Sequence, residues 1–234
     1  MTGERNNRGD IAKLIGIAAV AFSALYFVSD LIELIHGGFS TFQLALTYAA
    51  EAAIPLFVLG LYAVQRPQIR TLGLIGALAY AYTFVYFTST VVYALVDHTT
   101  DWDALTTHLG AALTVHSVLM VVAGVMFGAA VIRAHVLPRW TGITLIVGMA
   151  LMAVTAGLPD VTRTLAAGVR DLAFAGMGVS LLRSPRPIQT ARRRRHTETT
   201  RQSRPTSTVA TSQIAQAKGV HAPPTELPVP LTKV

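Results

Sequence analysis

Six apolar stretches, near residues 13–35, 42–64, 71–96, 107–132, 140–158 and 162–182, dominate this chain. Each approaches the roughly 20 residues that an α-helix needs to cross about 30 Å of hydrocarbon. A segment in lipid must satisfy its own backbone hydrogen bonds, so spans of this length are helices. The fifth stretch is the shortest and the sixth carries charges. With 52% hydrophobic and 13% charged residues in 234, the chain is too apolar for an ordinary water-soluble domain. The expected fold class is therefore all-α: a polytopic six-helix transmembrane bundle over 13–183, after a short N-terminal segment, 1–12. No small-residue cleavage site follows the first stretch, whose end reads DLIELIHGG, so it reads as a retained helix and not a signal peptide.

The net charge of +7 has a single origin. Residues 1–183 carry ten Lys or Arg against ten Asp or Glu, so the whole excess lies in 184–234. That tail is rich in Pro, Ser, Thr and Arg and too poor in apolar residues to offset chain ordering, which predicts a disordered basic segment. Arg192, Arg193, Arg194 and Arg195 point to contact with an anionic lipid leaflet. No aromatic residues interleave with them, which argues against nucleic acid. Basic residues also fix an orientation: Arg5, Arg8 and Lys13, then Arg66 and Arg70, then Arg133 and Arg139, then Arg183 fall at alternate connections. The other connections hold Asp97, Asp101, Asp103 and Asp160, with Arg163 the one basic residue. The excess of Lys and Arg on cytoplasmic loops predicts both termini in the cytoplasm of a bacterial cell.

Ionisable groups at bilayer depth usually face the bundle interior or water. At about 1.5 Å rise per residue, Glu51, Tyr86, His116, Arg170 and Asp171 fall at one level in the outer half of the membrane. On the first span Ser23, Tyr26, Asp30, Glu33 and Gly37 fall within about 80° of one another at 100° per residue, one polar stripe. The stretch from Asp30 to Ser40 then reads as the rim of an outward-facing polar pocket with Glu51 deeper inside. Glu51 and Arg170 are expected to neutralise each other. Asp171 lies about 100° further round its helix and is expected to find another partner, such as a hydroxyl on span one or three. His116 reads as a packing residue or a pocket member.

Other chemistries find little support. The absence of cysteine excludes disulfides, thiolate metal ligands and Cys nucleophiles. Glu33 and His36 have the i, i+3 spacing of carboxylate di-iron bundles, but those need two such motifs and two further Glu. A zinc ion on His116, Glu51 and Asp30, or a haem between His116 and His36, has no further motif behind it, so no metal or cofactor is assigned. There is no nucleophile elbow, metalloprotease motif or phosphate-binding loop. Ser117 follows His116, but helical neighbours at i, i+1 do not face each other.

Span three offers two faces, Tyr80, Thr83, Phe87 and Thr90 or Tyr82, Tyr86, Ser89 and Tyr93, one of which turns inward to bond other helices. Gly124 and Gly128 form a GxxxG spacing, suited to close packing within the chain or to an oligomer contact. Pro55, one turn after Glu51, is a potential kink. The run VMFGAAVIRAHVLPRWTGITLIVGMAL, with its Leu137-Pro138-Arg139-Trp140 turn, resembles uncharacterised six-span bacterial membrane protein families of actinobacterial type. The similarity covers mainly 120–182. It implies a shared fold with no established activity, so no functional residues carry over.

The expected function is binding or transport of a small polar molecule, ion or lipid headgroup in an outward pocket holding Glu51, Arg170, Asp171, His116, Asp30, Glu33 and Tyr86. The alternatives are a structural or accessory subunit whose charges lock helix packing, and an intramembrane enzyme using Glu51 or His116 as a proton carrier.

Overall fold

The computed structural model describes residues 2–183, with side chains from residue 9 onward. Six α-helices account for nearly all of it: α1 Thr2–His36, α2 Thr41–Val64, α3 Arg70–Asp97, α4 Trp102–Ala134, α5 Arg139–Thr155 and α6 Asp160–Arg183. Among the described residues there is no strand. Five helices are long and apolar enough to cross a membrane. The fifth stretch is indeed the short one, since α5 has 17 residues, about 25 Å of rise. The expected disorder of 184–234 and the lipid contact of Arg192–Arg195 lie outside the described residues.

Two boundaries differ from the sequence reading. Helix α1 begins at Thr2, because nothing in the polar segment before Lys13 breaks a helix once the span has nucleated it. Helix α4 begins at Trp102 and is kinked at Gly110, whose φ of 52° is open to glycine and costly for other residues. Pro55 leaves α2 continuous from Thr41 to Val64, although it has no N–H to give the Glu51 carbonyl four residues back.

Short connections make sequence neighbours antiparallel. Each helix packs on the next, and α1 closes the circuit against α6, giving a ring of six. Arg66, Arg70, Arg133, Arg139 and Arg183 therefore gather at one end of the bundle, and Asp97, Asp101, Asp103 and Asp160 at the other. At the acidic end the Phe39 N–H donates to the Thr100 carbonyl at 2.7 Å, tying the α1–α2 turn to the α3–α4 turn. Ser40 and Asp101 cap α2 and α4 by accepting from the backbone N–H of Gln43 and Ala104.

The outer surface is apolar: Leu56, Val96 and Val154 are each about three-quarters exposed. Aromatic rings fill the centre. Phe174 on α6 meets Phe57 of α2 edge-on at 5.5 Å and Tyr80 of α3 at a tilt at 5.6 Å, so side chains bridge helices that are not neighbours in the ring. Helices α4 and α5 approach through paired glycines. A Cβ on Gly128 would lie 2.9 Å from the Gly142 carbonyl, and one on Gly142 would lie 2.7 Å from that of Gly128. Gly124 is covered by Met149 in the same way. The GxxxG spacing is thus filled by intrachain packing.

Candidate functional site: a buried polar cluster

Just above the aromatic plug, toward the acidic end, four helices deliver polar side chains to one place. Arg170 of α6 is 2% exposed, Glu51 of α2 is 4% and Asp171 of α6 is 5%. Arg170 Nε donates to Asp171 Oδ1 at 2.8 Å, and Nη2 lies at the same distance from that oxygen. The guanidinium carbon lies 4.5 Å from the centre of the Tyr26 ring on α1 and 5.9 Å from that of Phe84 on α3. These aromatic faces attract the cation. Nη1 approaches Met152 Sδ of α5 at 3.9 Å. Helix α5 comes this close because of Gly148, where a Cβ would sit 2.7 Å from the Arg170 nitrogen.

Glu51 does not form the ion pair expected with Arg170. Its Oε1 accepts from the Tyr26 hydroxyl at 3.0 Å, while Arg170 stands over the face of the same ring. Nor does Asp171 find a hydroxyl on another helix. The long arginine stem spans the 100° between adjacent helical positions, which turns a sequence neighbour into the ion-pair partner. Side-chain length overrides the rule that i and i+1 do not meet.

Several buried atoms at this level have no hydrogen-bond partner: Glu51 Oε2, Asp171 Oδ2 and Tyr80 Oη. Asp30 is half-buried on α1 and lies within electrostatic reach of Asp171, Arg170, Glu33 and Glu51. Glu33 stands nearer the end, facing Asp160, Arg163 and Asp101. Three carboxylates, Asp30, Glu51 and Asp171, therefore share one buried guanidinium.

A polar seam between α1 and α2 runs from Glu33 inward. Gln43 Nε2 donates to Glu33 Oε2 at 3.2 Å and to Thr47 Oγ1 at 3.0 Å. Ser29 Oγ lies 2.6 Å from Thr47 Oγ1 and donates to the Gln43 carbonyl at 3.0 Å. Gln43, Thr47 and Glu51 recur at i, i+4 and i+8 on α2. That periodicity is visible in FQLALTYAAEA and would have found Gln43 and Thr47, which the sequence reading missed along with Ser29.

His116 and Tyr86 stand elsewhere. Their rings stack at 3.6 Å, the Tyr82 hydroxyl and His116 Nε2 lie 3.2 Å apart, and His116 Nδ1 bonds the Ala112 carbonyl. Tyr82 is more than half exposed, which puts this group on the outer α3–α4 seam. The inward face of α3 is Tyr80, Thr83, Phe87 and Thr90, all buried. The Thr83 and Thr90 hydroxyls bond carbonyls of their own helix and not other helices. Among the described residues no three His, Asp or Glu side chains converge as metal ligands.

No protein-family profile matches the chain, and no curated protein or solved structure matches it. The chemistry of the cluster thus stands on its geometry.

Proposed function

We propose that this chain is an integral protein of a bacterial cell membrane, of the six-span kind its Leu137–Trp140 turn resembles. Both termini face the cytoplasm, and the cluster around Glu51, Arg170 and Asp171 binds a small polar molecule or ion, for recognition or transport. The observation that carries this reading is the imbalance of charge. Asp30, Glu51 and Asp171 outnumber Arg170, and Glu51 Oε2 and Asp171 Oδ2 are buried without donors. Buried acceptors of this kind call for protons or for a ligand with cationic or N–H and O–H groups. The seam from Glu33 through Gln43, Ser29 and Thr47 supplies a polar approach from the acidic end, which alternation of basic residues puts outside the cell.

One observation favours a structural role instead: the three central side chains are almost sealed, and Arg170 already has a carboxylate partner. Cysteine labelling separates the two, since the chain has no native cysteine. In intact cells, Asp30→Cys and Thr47→Cys should react with a membrane-impermeant methanethiosulfonate, and Gln68→Cys only after permeabilisation. If Thr47→Cys and Asp30→Cys stay unlabelled while Gly37→Cys in the adjoining turn reacts, the site is closed and the structural reading stands. Labelling of Gln68→Cys from outside would invert the topology.

A further inference from the structure

At the arginine end, a groove of about 730 Å³ opens on the outer surface between α6 and the α4–α5 turn, within the roughly 300–1,000 Å³ of ligand clefts. Its floor is one stripe of α6: Leu172, Ala175, Gly176 and Val179, with Arg183 at its end. His135 and Trp140 form the opposite wall. Gly176 lets the Trp140 ring lie against α6, because any Cβ there would run into it.

From Leu172 to Arg183 the stripe rises about 16 Å, half of the ~30 Å hydrocarbon core and so the depth of one leaflet. The groove is apolar along that length and basic at its mouth. Arg183 ends it. His135 Nδ1 donates to the Arg133 carbonyl at 2.8 Å, which leaves Nε2 to accept from Arg139 and holds that exposed guanidinium beside the opening. Among the described residues no carboxylate lines the groove. Trp140, half exposed, stands at the level where indoles favour the interface.

We propose that this groove holds one anionic phospholipid of the leaflet at the arginine end, its acyl chain along α6 and its phosphate against Arg183 and Arg139, the latter positioned by His135. Length, apolarity and charge match such a lipid, and basic pockets between membrane helices bind anionic headgroups. The groove lies at the opposite end of the bundle from the buried cluster.

The two tryptophans are Trp102 and Trp140, so Trp102→Phe leaves Trp140 as the sole indole. The full chain carrying that change, in dodecyl maltoside, is titrated with brominated phosphatidylglycerol and brominated phosphatidylcholine, whose bromines quench nearby indoles. Phosphatidylglycerol should quench saturably, at one per chain and at the lower concentration. Arg183→Gln and Arg139→Gln should each weaken it about fivefold and leave phosphatidylcholine unchanged. Val179→Phe, which fills the groove without altering charge, should remove saturable quenching by both while the protein stays folded by circular dichroism. Equal quenching by the two lipids, a preference that survives loss of both arginines, or no saturable quenching because residues 184–234 occupy the groove, would each overturn the proposal.

Discussion

Replacing Asp171 by Asn removes the one carboxylate that, among the described residues, directly contacts a guanidinium that is 2% exposed. Two unit charges 2.8 Å apart attract by about 6 kcal/mol at an effective dielectric constant of 20, before desolvation is subtracted. Breaking a buried pair by removing one partner typically costs about 3–5 kcal/mol, because the survivor is left uncompensated. Here the lower end is expected. The Tyr26 face remains at 4.5 Å and contributes about 2 kcal/mol when desolvated, and Asp30 and Glu51 remain within electrostatic reach. Asp171→Asn should therefore lose about 3 kcal/mol, read by reversible unfolding in mixed dodecyl maltoside and sodium dodecyl sulfate micelles. Removing both charges, as Arg170→Met with Asp171→Asn, should recover most of that loss. A single-variant loss below about 1 kcal/mol, or a double variant no more stable than the single, would refute the assignment of Asp171 as the partner that stabilises Arg170.

Gly148→Ala should cost about 1–3 kcal/mol, since its Cβ meets the Arg170 backbone at 2.7 Å. Gly124→Ala should cost less, because its nearest obstacle is the flexible Met149 thioether; the same unfolding assay ranks them. His116→Ala should lose about 0.5–1.5 kcal/mol of stacking and leave labelling at Thr47→Cys unchanged, whereas a pocket histidine would alter that labelling. Outside the spans, the Asp101 carboxyl is held below its ordinary range by the Ala104 N–H and the Thr100 hydroxyl. A lowered folded value stabilises above the unfolded pKa of about 3.9 and is lost as pH falls through the folded value. Asp101→Asn should thus flatten the fall in stability between pH 5 and 2 relative to wild type, measured by thermal unfolding across that range.

Span count and the gathering of Arg and Asp at opposite ends were legible because the bilayer imposes a length and a charge asymmetry on sequence directly. The level of the polar groups was legible too, since helical rise places Glu51, Arg170 and Asp171 together. Azimuth was harder to read. Which face of α3 turns inward depends on both neighbouring helices, and the Tyr82–Tyr86 face proved to be the outer seam with His116. Pairing within the cluster also escaped, because the Tyr26 hydroxyl takes Glu51 and the arginine stem reaches its own neighbour. The α2 ladder of Gln43, Thr47 and Glu51 was there to be read, but attention to charge hid the uncharged members.

The most direct test of a ligand-binding cluster is native mass spectrometry of the full chain released from lipid nanodiscs, wild type beside Glu51→Gln. A small-molecule or ion adduct of fixed mass on the wild type, lost in Glu51→Gln while the fold persists, is the expected result. A wild-type chain that carries no such adduct, or one that Glu51→Gln retains in full, would contradict a binding role for the cluster and leave its charges to hold the helices together.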